Sequence, residues 1–134
     1  MDEIVKILKA TEERLREERR KQYEELQLFN RCSLIARKLG KPHPKKHGAW
    51  WIYEDHEIII SYDDYAPNLE VIDRRRQLKV LDVHLGDLKL FRPGKWLRRV
   101  LSISNKLLGE LEKEERARRI RELEEEIKKW EAIE

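Results

Sequence analysis

Residues 50–92 read WWIYEDHEIIISYDDYAPNLEVIDRRRQLKVLDVHLGDLKLFR, and this stretch decides the fold. Short runs of aromatic and β-branched residues alternate with polar ones and break at turn formers. That pattern predicts strands at Trp50–Glu54, Glu57–Tyr62, Leu69–Asp73, Gln77–Leu85 and Asp87–Phe91. Ala66-Pro67-Asn68 and Gly86-Asp87 supply turns. The connections are too short for crossover helices, so the expected sheet is an antiparallel meander of four to five short strands. The alternation slips at Val80-Leu81, which predicts a bulge there or a sheet partly covered on both faces.

Outward from this β-rich head lie two long helical segments. Residues 3–39 are built mostly from Glu, Arg, Lys, Leu and Gln, all good helix formers. The helix stops at Leu39-Gly40, with Pro42 just beyond. Pro93-Gly94 turns the chain into a second helix over 95–131, apolar in its first half from Trp96 to Leu111. At 1.5 Å per residue the first helix runs to ~55 Å, against roughly 36 Å for the diameter of a compact domain of this length. So the first helix is kinked, protrudes, or is covered by another subunit.

The outer half of each helix keeps only a thin apolar stripe. Ile4, Leu8 and Leu15 mark the first; Ile120, Leu123, Ile127 and Trp130, spaced by three, four and three, mark the second. The expected arrangement is an α+β domain over 1–134 whose helices pair antiparallel as a handle, with Ile4, Ile7 and Leu8 against Ile127, Trp130 and Ile133. One pair of thin stripes is marginal as an isolated hairpin, so the seam predicts a homo-oligomer.

Charge divides sharply along the chain. Residues 51–73 carry seven acids and no Lys or Arg, whereas residues 74–99 carry nine bases against two acids. Residues 37–50 add five bases, and the helical flanks sum to 0 for residues 1–36 and −2 for residues 100–134, giving +3 in all. Such fields govern partners rather than fold. Lys41, Lys45 and Lys46 precede Trp50, Trp51 and Tyr53, and cations beside aromatics are what phosphate contact and base stacking require. Arg74, Arg75 and Arg76 fall at a predicted hairpin tip, either as an anion clamp or as a solubilising turn. Arg92, Lys95, Arg98 and Arg99 open the second helix, where cations oppose the helix dipole. If acids 54–73 pair with these bases inside one subunit, little positive potential is left for a polyanion.

Catalytic chemistry finds weak footing. His56 beside Asp55 and Glu57, the Asp63-Asp64 pair, and Asp82 with His84 are the best placed groups, yet none has the spacing of a metal site or an established motif. The single cysteine, Cys32, sits among Phe29, Leu34 and Ile35 and suits burial in a reducing compartment. No stretch is apolar enough for a signal peptide or a membrane span, so the reading is cytoplasmic with no membrane partner. Many Glu, Lys and Arg with few Asn, Gln, Cys and Met fit a thermophilic source.

The sequence thus predicts a non-enzymatic oligomeric binding protein with no cofactor, metal or catalytic residue. Nucleic acid is the expected ligand of its basic and aromatic residues, as in a small accessory or regulatory factor. A protein–protein adaptor, inhibitor or assembly subunit is the alternative, and a small metal-dependent hydrolase or nuclease is remote.

Overall fold

The computed structural model describes residues 2–87 and 94–133. Helix α1 spans Asp2–Leu39 and helix α2 spans Lys95–Ile133; between them lie β1 (Lys41–Pro42), β2 (Ala49–Glu54), β3 (Ile58–Asp63), β4 (Asn68–Asp73) and β5 (Leu78–His84). The strands form one antiparallel sheet in the order β1-β2-β3-β4-β5. The α+β class and the meander are as the residue pattern predicts. The register shifts opposite Val71 and Ile72, where Val80 is the extra residue in β5. A second shift, between Trp51 and Tyr53 in β2, was not evident in the alternation. The strand expected at Asp87–Phe91 lies outside the described residues beyond Asp87.

Both helices pack on one face of the sheet. Ile58, Ile60 and Tyr62 of β3 alternate onto that face with Leu69, Val71 and Val83, and meet Phe29, Cys32 and Ile35 of α1 and Leu97 and Val100 of α2. Each fully buried aliphatic side chain of this kind contributes about 1.5–3 kcal/mol. Gly40 ends α1 by donating to Ile35 and Ala36 carbonyls at 3.1 and 3.0 Å. A Cβ at this position would overlap the Ala36 carbonyl oxygen and lie 2.9 Å from Ala36 Cα, so the close turn into β1 needs glycine. The buried Glu25 carboxylate accepts the Gly86 N–H, tying α1 to the end of β5.

The expected antiparallel handle is not formed within the chain. Arg31 of α1 donates to Asn105 of α2 at 3.0 Å, and farther along, Leu34 and Lys38 line a groove with Leu111, Ala117 and Arg121. Residue numbers rise together in both helices, so they run in the same sense where they meet. The reason lies in the sheet. Helix α1 ends beside the start of β2, whereas Arg99 fastens the first turn of α2 to Asp55 and Glu57, at the end of β2. The two helices thus enter from opposite ends of the strands. Their outer halves do not pack on one another: Ile4, Ile7, Leu8, Ile127, Trp130 and Ile133 are all exposed.

Candidate interaction surfaces

One candidate surface gathers at the β2–β3 turn. Asp55 accepts the N–H groups of Glu57 and Ile58, each at 2.7 Å, and the Tyr53 hydroxyl at 2.9 Å. Burial pushes the Asp55 carboxyl up, but these donors and the neighbouring Arg99 outweigh it and hold it below the usual carboxylate range. Arg99 lies 2.9 Å from Glu57 and 3.6 Å from Asp55. Arg74 donates to Glu54 at 3.0 Å and to the Asp55 carbonyl at 2.8 Å. Lys95 and Arg99 also flank the Trp96 ring, at 5.4 and 6.0 Å from its centre. The structure therefore brings Tyr53, Arg74, Lys95 and Arg99 together around an acidic turn.

The three consecutive arginines do not share one acid partner. Arg74 turns to Glu54, and Arg76 lies 3.9 Å from Asp73. Asp73 caps the turn by accepting the N–H groups of Arg75 and Arg76 at 3.0 and 3.3 Å. The Arg75 side chain has no acid within ion-pair distance among the described residues. Arg92, predicted to join this group, lies outside the described residues.

A second surface occupies the open face of the sheet. Trp50 pairs with Tyr62 and packs against the core, while its neighbour Trp51 pairs with Ser61 on the other face. The two tryptophans consequently cannot form a single stacking platform. Trp51 meets the His43 ring edge-on with centres 5.9 Å apart. Its buried Nε1–H has no hydrogen-bond partner among the described residues. His43 Nδ1 accepts the N–H groups of Lys45 and Lys46, both at 3.0 Å, and so folds the basic loop against the sheet.

Glu70 anchors this face. Its buried carboxylate takes Lys46 at 3.1 Å and Lys79 at 3.2 Å, and Lys79 continues to Asp82 at 3.4 Å. Lys79 and Glu70 were not singled out from sequence. The signal was available: a lone glutamate in the apolar run Leu69–Ile72 points to the face opposite Leu69 and Val71, and needs a cation there.

The groups weighed for catalysis each have a polar neighbour. His84 lies 3.6 Å from Asp82, which also accepts from Asn68 at 3.1 Å. Asp63 caps Tyr65, and Asp64 accepts the Tyr62 and Ser33 hydroxyls at 3.0 and 3.2 Å. His56 is exposed and lies 3.7 Å from Glu57. Among the described residues no group of three His, Cys, Asp or Glu could hold a metal ion. Cys32 is fully buried, and burial, only partly offset by Arg31, pushes its thiol up to about 12.

Acids 54–73 thus pair with Lys46, Arg74, Arg76, Lys79 and Arg99. Lys41, Lys45, Arg75, Lys95 and Arg98 are left without an acid partner among the described residues. The head is a two-signed surface rather than a basic one.

The third surface is the pair of helical arms. From Asp2 to Glu24 α1 buries no residue, and from Glu112 to Ile133 α2 is exposed throughout. Ile4, Leu8, Leu15, Ile120, Leu123, Ile127 and Trp130 are 47–67% exposed. No described helix is long and apolar enough to cross a membrane. No protein-family model matches the sequence, and no curated protein or solved structure shows a significant match to it.

Proposed function

We propose that this chain is a non-enzymatic assembly subunit that self-associates through its helical arms and presents its two-signed head to other molecules. The observation that carries the reading is the exposure of the seven apolar residues named above on arms without tertiary support. Most helical stability in proteins comes from packing an amphipathic face rather than from propensity, and these arms, each roughly 20 residues long, have no such packing within the chain. Each exposed large side chain on them forgoes about 1.5–3 kcal/mol of burial. A partner helix supplies both the burial and the support. Because both arms are exposed, one chain has two separate helical faces on which partners can dock.

Sedimentation velocity over a concentration series tests this reading. The parent chain is expected to sediment as more than one subunit, and a charge placed in the seam of at least one arm, Leu8→Glu for α1 or Leu123→Glu for α2, to lower its association. A parent that stays monomeric at all concentrations overturns it. Both positions are exposed, so neither change disturbs the head.

A nucleic-acid role rests on a narrower observation. Lys41 and Lys45, without acid partners among the described residues, sit beside Trp51 on the open sheet face, which is the basic-plus-aromatic pairing that single strands use. The internal pairing of Lys46, Arg74, Arg76, Lys79 and Arg99 weighs toward protein partners as the principal ones.

A further inference from the structure

We infer that the α2 arm pairs with the α2 arm of a second copy of this chain as a short parallel two-stranded coiled coil. This rests on the assembly reading above and specifies which arm pairs, with what, and in which direction.

Three observations carry it. The first is spacing. Ile120, Leu123, Ile127 and Trp130 repeat every three and four residues, the 3.5-residue period of a left-handed coiled coil. The second is side-chain shape. With Ile120 and Ile127 at the first core position of each heptad and Leu123 at the fourth of the first, the β-branched and γ-branched residues fall where parallel two-stranded coils prefer them. In a parallel pair each layer meets itself across a two-fold axis, so all four apolar layers are used: Ile on Ile, Leu on Leu, Ile on Ile, Trp on Trp.

The third observation is charge. In a parallel coil the residue before each first core position lies near the residue five places on in the partner. Arg119 then faces Glu124 of the second copy, twice by symmetry. An antiparallel pair that keeps all four apolar layers instead sets Glu124 against Glu124 and Glu126 against Glu126. The parallel arrangement has its own unfavourable pair, Glu126 with Glu131, which the Arg119 pairs offset. Within its own chain Arg119 reaches Glu115 at only 3.5 Å, with both side chains more than half exposed, so it can turn to the partner at little cost.

The α1 arm lacks this self-matching. Beyond Leu15 its seam turns to Glu18 and Gln22, and in a parallel pair Arg14 would meet Arg19.

Two heptads are short, so the dimer is expected to form reversibly with rising concentration. The test uses the whole chain. Sedimentation equilibrium compares the parent with Leu123→Glu, Leu8→Glu, Arg119→Glu and the swap Arg119→Glu/Glu124→Arg. Leu123→Glu removes two buried leucines per dimer and should weaken association on the order of a hundredfold. Leu8→Glu should leave the α2 dimer in place. Arg119→Glu should weaken it, and the swap should restore it. In parallel, Trp130→Cys should form an inter-chain disulfide under mild oxidation, since parallel pairing sets the two positions side by side. An antiparallel pair separates them by roughly 15 Å, at 1.5 Å per residue. Buried Cys32 does not compete for the bridge, and its lack of reaction with thiol reagents reports that each variant keeps its head folded.

Association lost with Leu123→Glu but no bridge at residue 130 overturns the parallel geometry and leaves the assembly reading standing. Association lost with Leu8→Glu and unchanged with Leu123→Glu moves the seam to α1 and overturns the inference alone. A parent that remains monomeric overturns both.

Discussion

Arg99 Nη1 lies 2.9 Å from Glu57 Oε2, at the end of the sheet from which α2 starts. The same guanidinium lies 3.6 Å from Asp55, whose carboxylate already caps the β2–β3 turn. Two apolar residues of the first turns, Leu97 and Val100, then fall under the sheet. Replacing Arg99 by Ala is expected to lower stability by about 1 kcal/mol, since the pair is partly exposed and screened by solvent. The shift should appear in the urea midpoint and shrink at high salt. An unchanged midpoint would mean that apolar packing alone places α2.

Glu70 makes the open face sensitive to acid. Burial pushes its carboxyl up, but the hydrogen bonds from Lys46 and Lys79 outweigh that and hold it below the ordinary glutamate range. A carboxyl lowered in the folded state adds stability that is fully present above its unfolded value. That stability is lost as pH falls through the lowered folded value. Glu70→Gln should therefore cost about 1–2 kcal/mol at neutral pH, because it leaves two ammonium groups facing a neutral amide. It should also flatten the fall in stability on acidification. Parallel acid limbs for parent and variant would remove Glu70 from the explanation.

Local pattern made much of this fold legible. The alternation in Ile58–Tyr62 and the stop at Leu39-Gly40 each encode an element within a few residues. The direction of α2 was not legible, because it depends on which end of the sheet the chain reaches after β5. That is a non-local outcome fixed by Arg99, Leu97 and Val100. The charge division in 51–99 was visible, yet its cancellation required topology. In a meander the β2–β3 and β4–β5 turns share one end, which is what brings Arg74 to Glu54. Trp50 and Trp51 must point to opposite faces by alternation, but only the register with Tyr62 and Ser61 says which one joins the core.

The His43 turn should open in acid. Its Nδ1 accepts two backbone N–H groups and so must be unprotonated in the folded loop. Burial first, then the positive charges of Lys46 and Lys45, hold the ring below its ordinary value, against the opposing pull of Glu70. The stability this adds is fully present above the ordinary histidine value and lost as pH falls through the lowered one. In an NMR titration the Lys45 and Lys46 amide signals and the Trp51 indole signal should move together, with one midpoint below that of free histidine. A midpoint at or above free histidine, or signals that move independently, would contradict the latch.

The internal ion pairs also bound how strongly any polyanion can bind. Lys41, Lys45, Arg75, Arg98 and Lys95 are the cations of the predicted set that lack an acid partner among the described residues, Lys95 lying over Trp96 instead. Each phosphate neutralised on a single strand contributes a slope of about −0.7 to the logarithm of affinity against the logarithm of salt concentration. These five described cations account for a slope of roughly −3.5, and Arg92, outside the described residues, would add about −0.7 if it also contacts phosphate. Fluorescence anisotropy with short single-stranded DNA and RNA should accordingly show weak binding with a slope no steeper than these cations supply. Charge reversal at Lys41 and Lys45 should reduce the slope by about 1.4, if both contact phosphate. A slope markedly steeper than these cations and the undescribed Lys89 and Arg92 together supply would mean that Lys46, Lys79, Arg74, Arg76 or Arg99 abandon their carboxylates for phosphate. The head would then be a nucleic-acid surface that acids 54–73 hold in reserve.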